Sequence, residues 1–371
     1  MSYIAPERQP VRRLLPALLL VWVPLWACGD AGTQLVFDPD PSDSTAVVPR
    51  GQRVLGISIS DRADGDFNDA FEEARAAGMQ ATSLSLAWDD LEVAPGVYDP
   101  EIDFLDIAAG YYPARETRLL LAINPIDTNN RRVPEYLDGL EWDDPAVVQA
   151  FEDLLDWALP RAMEVDLVAL AVGNEIDATL ASQEEWESYR AFLAQVSEHA
   201  DSLRPGLRIG AKITAEGLTG AFADEAALVT EASGLVLTTF YPLGPGFQIE
   251  DPSMVDGVFD DLVDRFPDLP ILFAEIGSPS TSLCGSSEAL QAEFVGGTFA
   301  AWDRHADRVE YLEFVWMHDI SQDALEVYEE YYGVSDECFL EYLGTLGLQS
   351  FAGVDKPAWS RLVGEADARG W

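Results

Sequence analysis

Short apolar segments alternate with longer amphipathic segments along most of the chain. Eight of the apolar segments are rich in Val, Ile, Leu, Ala or aromatic residues and alternate little in polarity, which is typical of parallel strands buried on both faces. We predict a strand in each of them: Val54–Ile59, Ala81–Leu86, Arg118–Asn124, Leu167–Gly173, Arg208–Ile213, Gly234–Tyr241, Pro270–Glu275 and Tyr311–Met317.

Helix signals occupy the intervals between these strands. Asp144 and Pro145 form a cap residue followed by a proline at the first helical position, and Gly78 is a C-cap signal. The predicted helices are Asp66–Ala77, Pro145–Leu159, Gln183–Leu203, Asp251–Arg265 and Ser286–His305. Repeated strand–helix units form either a closed barrel or an open doubly wound sheet.

The count of eight strands favours the closed (β/α)8 TIM barrel. No glycine-rich phosphate loop follows any predicted strand, which argues against a nucleotide-binding open sheet. We therefore predict that residues 51–371 form one α/β barrel domain with a single catalytic site.

The N-terminal segment differs from the rest of the chain. Three arginines precede an apolar segment, Leu14–Ala27, of about 14 residues, which is short for a membrane span. It leads into Leu-Trp-Ala-Cys-Gly, which resembles a bacterial lipoprotein signal in which Cys28 is lipidated. The alternatives are a secretory signal cut elsewhere and a poor membrane anchor.

We accordingly predict a signal peptide over residues 1–27 and a flexible tether over residues 28–50, which are rich in Asp, Pro, Ser and Thr. The implied location is outside the cytoplasm, with the protein held on a bacterial membrane, periplasmic or at the cell surface, by lipid on Cys28.

Cysteine usage is consistent with an oxidising compartment. If Cys28 carries lipid, Cys284 and Cys338 remain as a possible disulfide pair. In the chain-entropy model a closed loop of about 54 residues contributes roughly 4 kcal/mol of stability. The alternative is two unrelated thiols.

The charge balance limits the choice of substrate. The chain has 66 acidic residues against 22 lysines and arginines, a formal net charge of -44. Such a surface repels phosphate, which excludes nucleic acid as a partner and disfavours polyanionic glycans. A neutral substrate fits better. The excess of acids, with only Lys212 and Lys356 as lysines, also indicates adaptation to salt, which screens self-repulsion.

Two glutamates follow predicted strands at the end where barrel enzymes place their active site. Gly173, Asn174 and Glu175 end the fourth strand, and Glu275 ends the seventh. Retaining glycoside hydrolysis needs two carboxyl groups about 5–5.5 Å apart. Strands three apart are nearly opposite in a barrel, so these carboxyls can meet over one sugar.

Ionising both carboxyls at that distance is unfavourable, so the pKa of one rises and that group acts as the acid. A single glutamate at such a position is otherwise often a salt-bridge or capping residue.

Asn-Glu after strand four, with Glu after strand seven, resembles the retaining glycoside hydrolases of clan A, from about Gly51 to Trp371. The resemblance implies that Glu175 is the acid/base and Glu275 the nucleophile. It also implies three substrate-site residues: Asn174 on the sugar 2-hydroxyl, Tyr241 hydrogen-bonded to the nucleophile, and Trp316 as the floor under the sugar.

The resemblance within the clan is divided. Ala171–Glu175 and Glu275–Ser280 are similar to plant-type endo-1,3-β-glucanases, whereas Trp88–Glu92 and Gly96–Asp99 are similar to β-galactosidases, galactanases and xylanases. An arginine on strand two and a histidine near strand three, which many clan members carry, are missing here. The identity of the sugar therefore stays open.

Other candidates have competing interpretations. His318 contacts substrate or caps a loop, and Trp88 stacks on sugar or packs in the core. The aromatic-rich segment Asp319–Phe351 supplies sugar subsites or forms a small satellite core. The three histidines, His199, His305 and His318, form no spaced cluster, so we expect no metal and no cofactor.

The sequence thus predicts a retaining β-glycosidase that acts on a neutral β-linked glucan, galactan or mannan. An endo-acting enzyme is favoured because the aromatic segment offers several subsites. One alternative is a glycan-binding lipoprotein that has lost activity, although pure binding needs no opposed carboxylate pair. Another is a transglycosylase, which shares the covalent step. The expected partners are the glycan and the membrane, with no protein partner predicted.

Overall fold

The computed structural model describes residues 46–371, so the predicted signal peptide, Cys28 and most of the predicted tether lie outside the described residues. Within this range one parallel sheet carries eight barrel strands, which confirms the predicted TIM-barrel fold. The strands are Val54–Ile57, Ala81–Ala87, Arg118–Asp127, Leu167–Asn174, a fifth in two pieces (Ile209–Gly210 and Lys212–Thr214), Val236–Phe240, Ile271–Ile276 and Val309–Phe314.

The fifth strand closes the barrel. Ile209–Gly210 pairs with the fourth strand, and Lys212–Thr214 pairs with the sixth. The two ends of the sheet are therefore two pieces of one strand, interrupted at Ala211. The sequence predicted a continuous fifth strand, and the break turns the second piece toward the sixth strand.

Helices surround the barrel and connect its strands. They are Phe67–Ala76, Trp88–Leu91, Phe104–Tyr111, Pro145–Arg161, Gln183–Leu203, Ala223–Ser233, Met254–Arg265, Glu288–Arg304, Gln322–Tyr332, Glu337–Gly344 and Pro357–Arg369. The five predicted helices are present, with end shifts of up to three residues. No helix in the described range is long and apolar enough to cross a membrane.

The core has two layers because each strand is buried on both faces. Small and branched side chains such as Ala122, Ala171 and Leu272 form one cluster between the strands. A larger cluster packs the opposite strand faces against the helices, with Phe273 stacked on Phe259 at 4.3 Å between ring centroids. Continuous apolar strands without polar alternation are the direct consequence of this arrangement.

The segment after the eighth strand folds into two helices, Gln322–Tyr332 and Glu337–Gly344, over the carboxyl end of the barrel. Their aromatic side chains form a satellite cluster around Phe339 and Tyr342. Cys284 and Cys338 form the predicted disulfide, which ties this segment to the loop after the seventh strand. The satellite-core interpretation therefore holds, and Phe339 and Tyr342 also line a cavity at the site.

Candidate active site

The turn after the fourth strand places Glu175 at the mouth of the barrel. Gly173 has φ +88°, and a Cβ there would meet the Tyr189 hydroxyl at 2.6 Å, so the position requires glycine. Glu175 itself has a left-handed backbone, with φ 45° and ψ 51°. A non-glycine residue in that region costs about 1–3 kcal/mol and is common at functional sites.

Two threonines hold the Glu175 carboxylate. The Thr239 hydroxyl donates to Oε1 at 2.8 Å, and the Thr128 hydroxyl donates to Oε2 at 3.1 Å. Burial, reinforced by the nearby charge of Glu275, raises the pKa of Glu175 to about 7. Glu175 therefore stays partly protonated near neutral pH, which is a property that a general acid requires.

Glu275 is oriented by an irregularity in the seventh strand. Thr238 pairs with Phe273 but Thr239 pairs with Glu275, so Ala274 is the extra residue of a bulge. Bulges change the direction of a side chain, and they are frequent beside active sites. The bulge allows Glu275 to lie on the same face of the strand as Ala274. The Ala274 side chain belongs to the cluster between the strands that contains Ala122, Ala171 and Leu272.

Lys212 and Tyr241 hold the Glu275 carboxylate from two sides. The Lys212 amino group donates to Oε1 at 2.8 Å, and the Tyr241 hydroxyl donates to Oε2 at 2.8 Å. The Lys212 side chain is 3% exposed, whereas that of Glu275 keeps 21%. Burial opposes the charge on Lys212, but Glu275 outweighs it and raises the lysine pKa. The buried ammonium group of Lys212 thus holds a carboxyl that keeps open surface.

The two glutamates share Thr239. Its hydroxyl contacts Glu175 Oε1, while its backbone is the register partner of Glu275 on the adjacent strand. Neighbouring strands lie about 4.8 Å apart. Both carboxyls therefore project over the same end of the barrel, one held by neutral hydroxyls and the other by an ammonium group.

A third glutamate, Glu313 on the eighth strand, lies in the barrel without exposure to solvent. It accepts hydrogen bonds from the Ser83 backbone amide, at 2.9 Å, and from the Tyr311 hydroxyl. Burial raises the pKa of Glu313 to about 7. Because it is enclosed, Glu313 offers no surface to a ligand in this conformation.

Asn174 belongs to a polar chain that crosses the cleft. Its amide donates to Asp127 Oδ1 at 2.9 Å, and the Tyr331 hydroxyl donates to Asp127 Oδ2 at 2.6 Å. Arg132 donates to the Tyr331 hydroxyl at 3.0 Å. The Asn174 Oδ1 has no donor among the described residues. The helix Gln322–Tyr332 is thereby fixed beside the predicted 2-hydroxyl site.

Trp316 follows the eighth strand through a cis peptide bond with Val315. Its indole stacks on Tyr328, with centroids 6.1 Å apart and planes 16° apart, and stays partly exposed. The satellite cluster thus backs one face of the ring, at the position predicted for the floor of the sugar site.

Two sequence candidates lie in the interior. Trp88 has 0% exposure, packs edge-on against Phe151 and donates to Glu92 at 2.8 Å. His318 has 0% exposure, and its Nδ1 lies 3.2 Å from the Ser60 carbonyl oxygen. In this conformation neither offers a surface to a sugar, so we leave both out of the proposed site.

Four contributing residues were missed from the sequence: Lys212, Thr239, Thr128 and Asp127. Only Lys212 had a usable signal, since it is one of two lysines in the chain and lies within a predicted buried strand. Within residues 46–371 no group of three or more His, Cys, Asp or Glu side chains is arranged to hold a metal ion.

The chain forms a closed parallel barrel with two glutamates at its carboxyl end, and solved structures of glycoside hydrolases have a similar fold. An exo-β-1,4-mannosidase from an Opitutaceae bacterium superposes with a TM-score of 0.64 at 15% identity, over 85% of this chain and 59% of that one. A family 5 subfamily 18 enzyme from Bifidobacterium longum, in complex with Manb1-4GlcNAc, has TM-score 0.66 at 13% identity, over 85% and 78%. A family 39 glycoside hydrolase from Bacteroides cellulosilyticus has 0.60 at 15%, over 86% and 64%.

These three structures have the barrel of clan A glycoside hydrolases, so the resemblance predicted from the sequence is confirmed for the fold. This chain spans less than two thirds of the length of two of them. No protein-family model and no curated protein matches the sequence.

Proposed function

We propose that the protein is a retaining β-glycoside hydrolase with Glu175 as acid/base and Glu275 as nucleophile. The observation that carries the proposal is the unequal environment of the two carboxyls. Lys212 and Tyr241 both donate to Glu275, whereas burial raises the pKa of Glu175 to about 7. Two carboxyls in such unequal environments can take different roles, here the acid/base for Glu175 and the nucleophile for Glu275.

In the first step an oxygen of Glu275 attacks the anomeric carbon and forms a glycosyl ester. The bond to the leaving oxygen breaks, and that oxygen takes the Glu175 proton. In the second step a water loses its proton to Glu175 and attacks the same carbon, which releases Glu275. Charge that builds on the ring is stabilised by hydrogen bonds near the 2-hydroxyl, where Asn174 lies.

A neutral β-linked poly- or oligosaccharide fits the electrostatics of the cleft. Carboxylates from Glu175, Glu275 and Asp127 surround it. The two cations described at the cleft, Lys212 and Arg132, are each paired to carboxylates, Arg132 with Asp89 at 2.8 Å. An anionic sugar would meet no uncommitted positive charge in the described cleft. Because two of the similar structures are a mannosidase and a Manb1-4GlcNAc complex, β-mannosides belong in the first screen beside glucans and galactans.

Replacing the nucleophile tests the proposal directly. We expect Glu275→Ala to abolish turnover of aryl β-glycosides without unfolding the protein, and added azide to yield the α-glycosyl azide, with inverted configuration. Glu175→Ala should preserve the first step for good leaving groups and lose it for poor ones. Equal loss for all leaving groups, or normal turnover by Glu275→Ala, would remove the assignment.

The remaining alternative functions differ in the products that they would release. A glycan-binding protein without activity would bind oligosaccharide but release no reducing ends. A transglycosylase would transfer the glycosyl group to a concentrated sugar acceptor in preference to water. An endo-acting enzyme would shorten long chains before monosaccharide accumulates, whereas an exo-acting enzyme would release single residues from the start.

We also propose an extracytoplasmic location with a lipid on Cys28. The Cys284–Cys338 disulfide supports it, because such bonds persist in oxidising compartments. Metabolic labelling with radioactive palmitate should mark the wild type and not Cys28→Ala. Labelling of both would overturn the lipidation site.

A further inference from the structure

A cavity of about 690 Å³ lies beside the acid/base residue. Its polar lining includes Glu175, Thr239 and Tyr241. Its apolar lining comes largely from the loop after the sixth strand, from the helix Met254–Arg265 and from the helix Glu337–Gly344, and includes Leu243, Phe247, Met254, Val258 and Phe339. The size is within the usual range for small-molecule sites.

The position of the cavity relative to the two glutamates assigns it to one side of the scissile bond. Glu175 lines it and Glu275 does not. In a retaining displacement the nucleophile attacks the face of the anomeric carbon opposite the leaving group, which the acid protonates. A space that touches the acid and not the nucleophile is therefore on the leaving-group side.

The chemistry of the walls disfavours an anionic group and offers apolar contacts. No lysine, arginine or histidine is among the lining residues, while Glu216 and Asp261 add negative charge. Met254, which lines the cavity, is 37% exposed. Hydrocarbon placed there would remove apolar surface from water on both partners.

The apolar wall is held in place before any ligand arrives. Phe247 packs on Phe339 at 5.0 Å between centroids. Cys338 precedes Phe339, and its sulfur accepts a hydrogen bond from Gln248 at 3.3 Å. The Ile249 amide donates to the Cys284 carbonyl at 2.8 Å. The disulfide thus joins the helix that carries Phe339 to the loop after the seventh strand, and that loop is hydrogen-bonded to Ile249. These links lower the entropy lost on binding.

We propose that this cavity is a leaving-group subsite for an uncharged moiety with a hydrocarbon surface. Two sources supply that chemistry: an aglycone attached directly to the scissile oxygen, or an acyl substituent on a leaving sugar. The proposal rests on the proposed function, because it uses Glu175 as the acid.

An alkyl β-glycoside series measures the effect, with methyl, butyl, hexyl and octyl glycosides of glucose, galactose and mannose. Butyl and longer leaving groups have nearly equal reactivity, so kcat/KM among them reports binding of the chain. We expect kcat/KM to rise by up to about fourfold per added methylene until the cavity is full. No dependence on chain length would overturn the proposal.

The test variant combines Met254→Gln and Val258→Thr, which makes the apolar wall polar at similar volume. The matched control is Met163→Gln, because Met163 is 45% exposed and does not line the cavity. The first should reduce the gain per methylene to less than about twofold, and the second should keep it. Equal gains in both variants would contradict the assignment of the wall.

Oligosaccharides with and without an acyl ester on the leaving sugar distinguish the two sources. A gain with alkyl chains alone identifies an aglycone site, and a larger gain with the acyl sugar identifies a substituted glycan. If no glycoside is cleaved, the proposed function fails first. Binding of octyl and methyl β-glycosides to Glu275→Gln, measured by equilibrium dialysis, then still tests the cavity, and equal affinities would overturn it.

Discussion

Replacing Lys212 by methionine is the sharpest test of how the proposed nucleophile, Glu275, is held. The side chain is 3% exposed and its amino group lies 2.8 Å from Glu275 Oε1. Methionine preserves the length and removes the charge. Tyr241 then remains as the one described donor to Glu275, while the carboxyls of Glu175, Asp127 and Glu313 still face the region.

The expected magnitude follows from the loss of one close opposite charge. An opposite charge within about 4–6 Å favours an ionised carboxyl by about one to three pH units, or roughly 1.4–4 kcal/mol. We expect kcat/KM below neutral pH to fall by about 10- to 1,000-fold. The acidic limb of the kcat/KM profile should move to higher pH by about one to three units, because attack needs the carboxylate.

The assay is kcat/KM for an aryl β-glycoside from about pH 4 to about pH 9. Lys212→Arg should keep the limb near its wild-type position. Lys356→Met is the matched control, since Lys356 is the other lysine and is also buried, paired with Asp319 at 2.5 Å. Breaking that pair should lower stability without moving the limb. An unchanged limb in Lys212→Met would refute the electrostatic role.

Four further outcomes follow from the structure. Because the acid must be protonated and the pKa of Glu175 is raised to about 7, kcat/KM should fall with rising pH through about 7, and Glu175→Gln should lose this limb with activated leaving groups. The pKa of Glu313 is also raised to about 7 from 4.5, so its contribution to stability is present below pH 4.5 and lost as pH rises through 7. Glu313→Gln should therefore be more stable than wild type at pH 8 by about 2–3 kcal/mol and equal at low pH, measured by urea unfolding. Gly173→Ala should cost roughly 2–5 kcal/mol, because φ is positive and the Tyr189 hydroxyl is too close, whereas Gly234→Ala, with open space around it, should cost only about 1–2 kcal/mol. Cys338→Ser should cost about 4 kcal/mol under oxidising conditions and nothing in reductant, and equal urea midpoints would contradict this.

Some of the fold could be predicted because the signal is local. Strands buried on both faces must be continuously apolar, so eight such segments were visible, and caps such as Asp144 marked helix starts. The missed helices include Phe104–Tyr111, which is short, Ala223–Ser233, which is weakly amphipathic, and Pro357–Arg369. The last one does carry local signals, a proline at its first position and Gly370 after its end, that could have identified it. The aromatic segment after the eighth strand was predicted without helices. Its two helices pack over the carboxyl end of the barrel through aromatic contacts that the local sequence does not show.

The acidic pair could be located because barrel topology converts a position along the chain into a position in space. A residue that ends a parallel strand lies at the carboxyl end of the barrel, whichever strand it follows. The sequence therefore predicted that Glu175 and Glu275 lie at the same end of the barrel. Trp88 and His318 satisfied the same rule and yet turned inward. The direction of a side chain at a strand end depends on the next turn, which the local pattern does not describe.

The hydrogen-bond donors to each glutamate lie far from it in the sequence. Lys212 reaches Glu275 across 63 positions, and Thr239 reaches Glu175 across 64. Neither pairing leaves a trace in hydrophobic periodicity, because a buried polar contact depends on the closure of the barrel and on the Ala274 bulge. The order of residues along the chain therefore predicted the two glutamates, while the packing of distant strands decided that a lysine holds Glu275 and that two threonines hold Glu175.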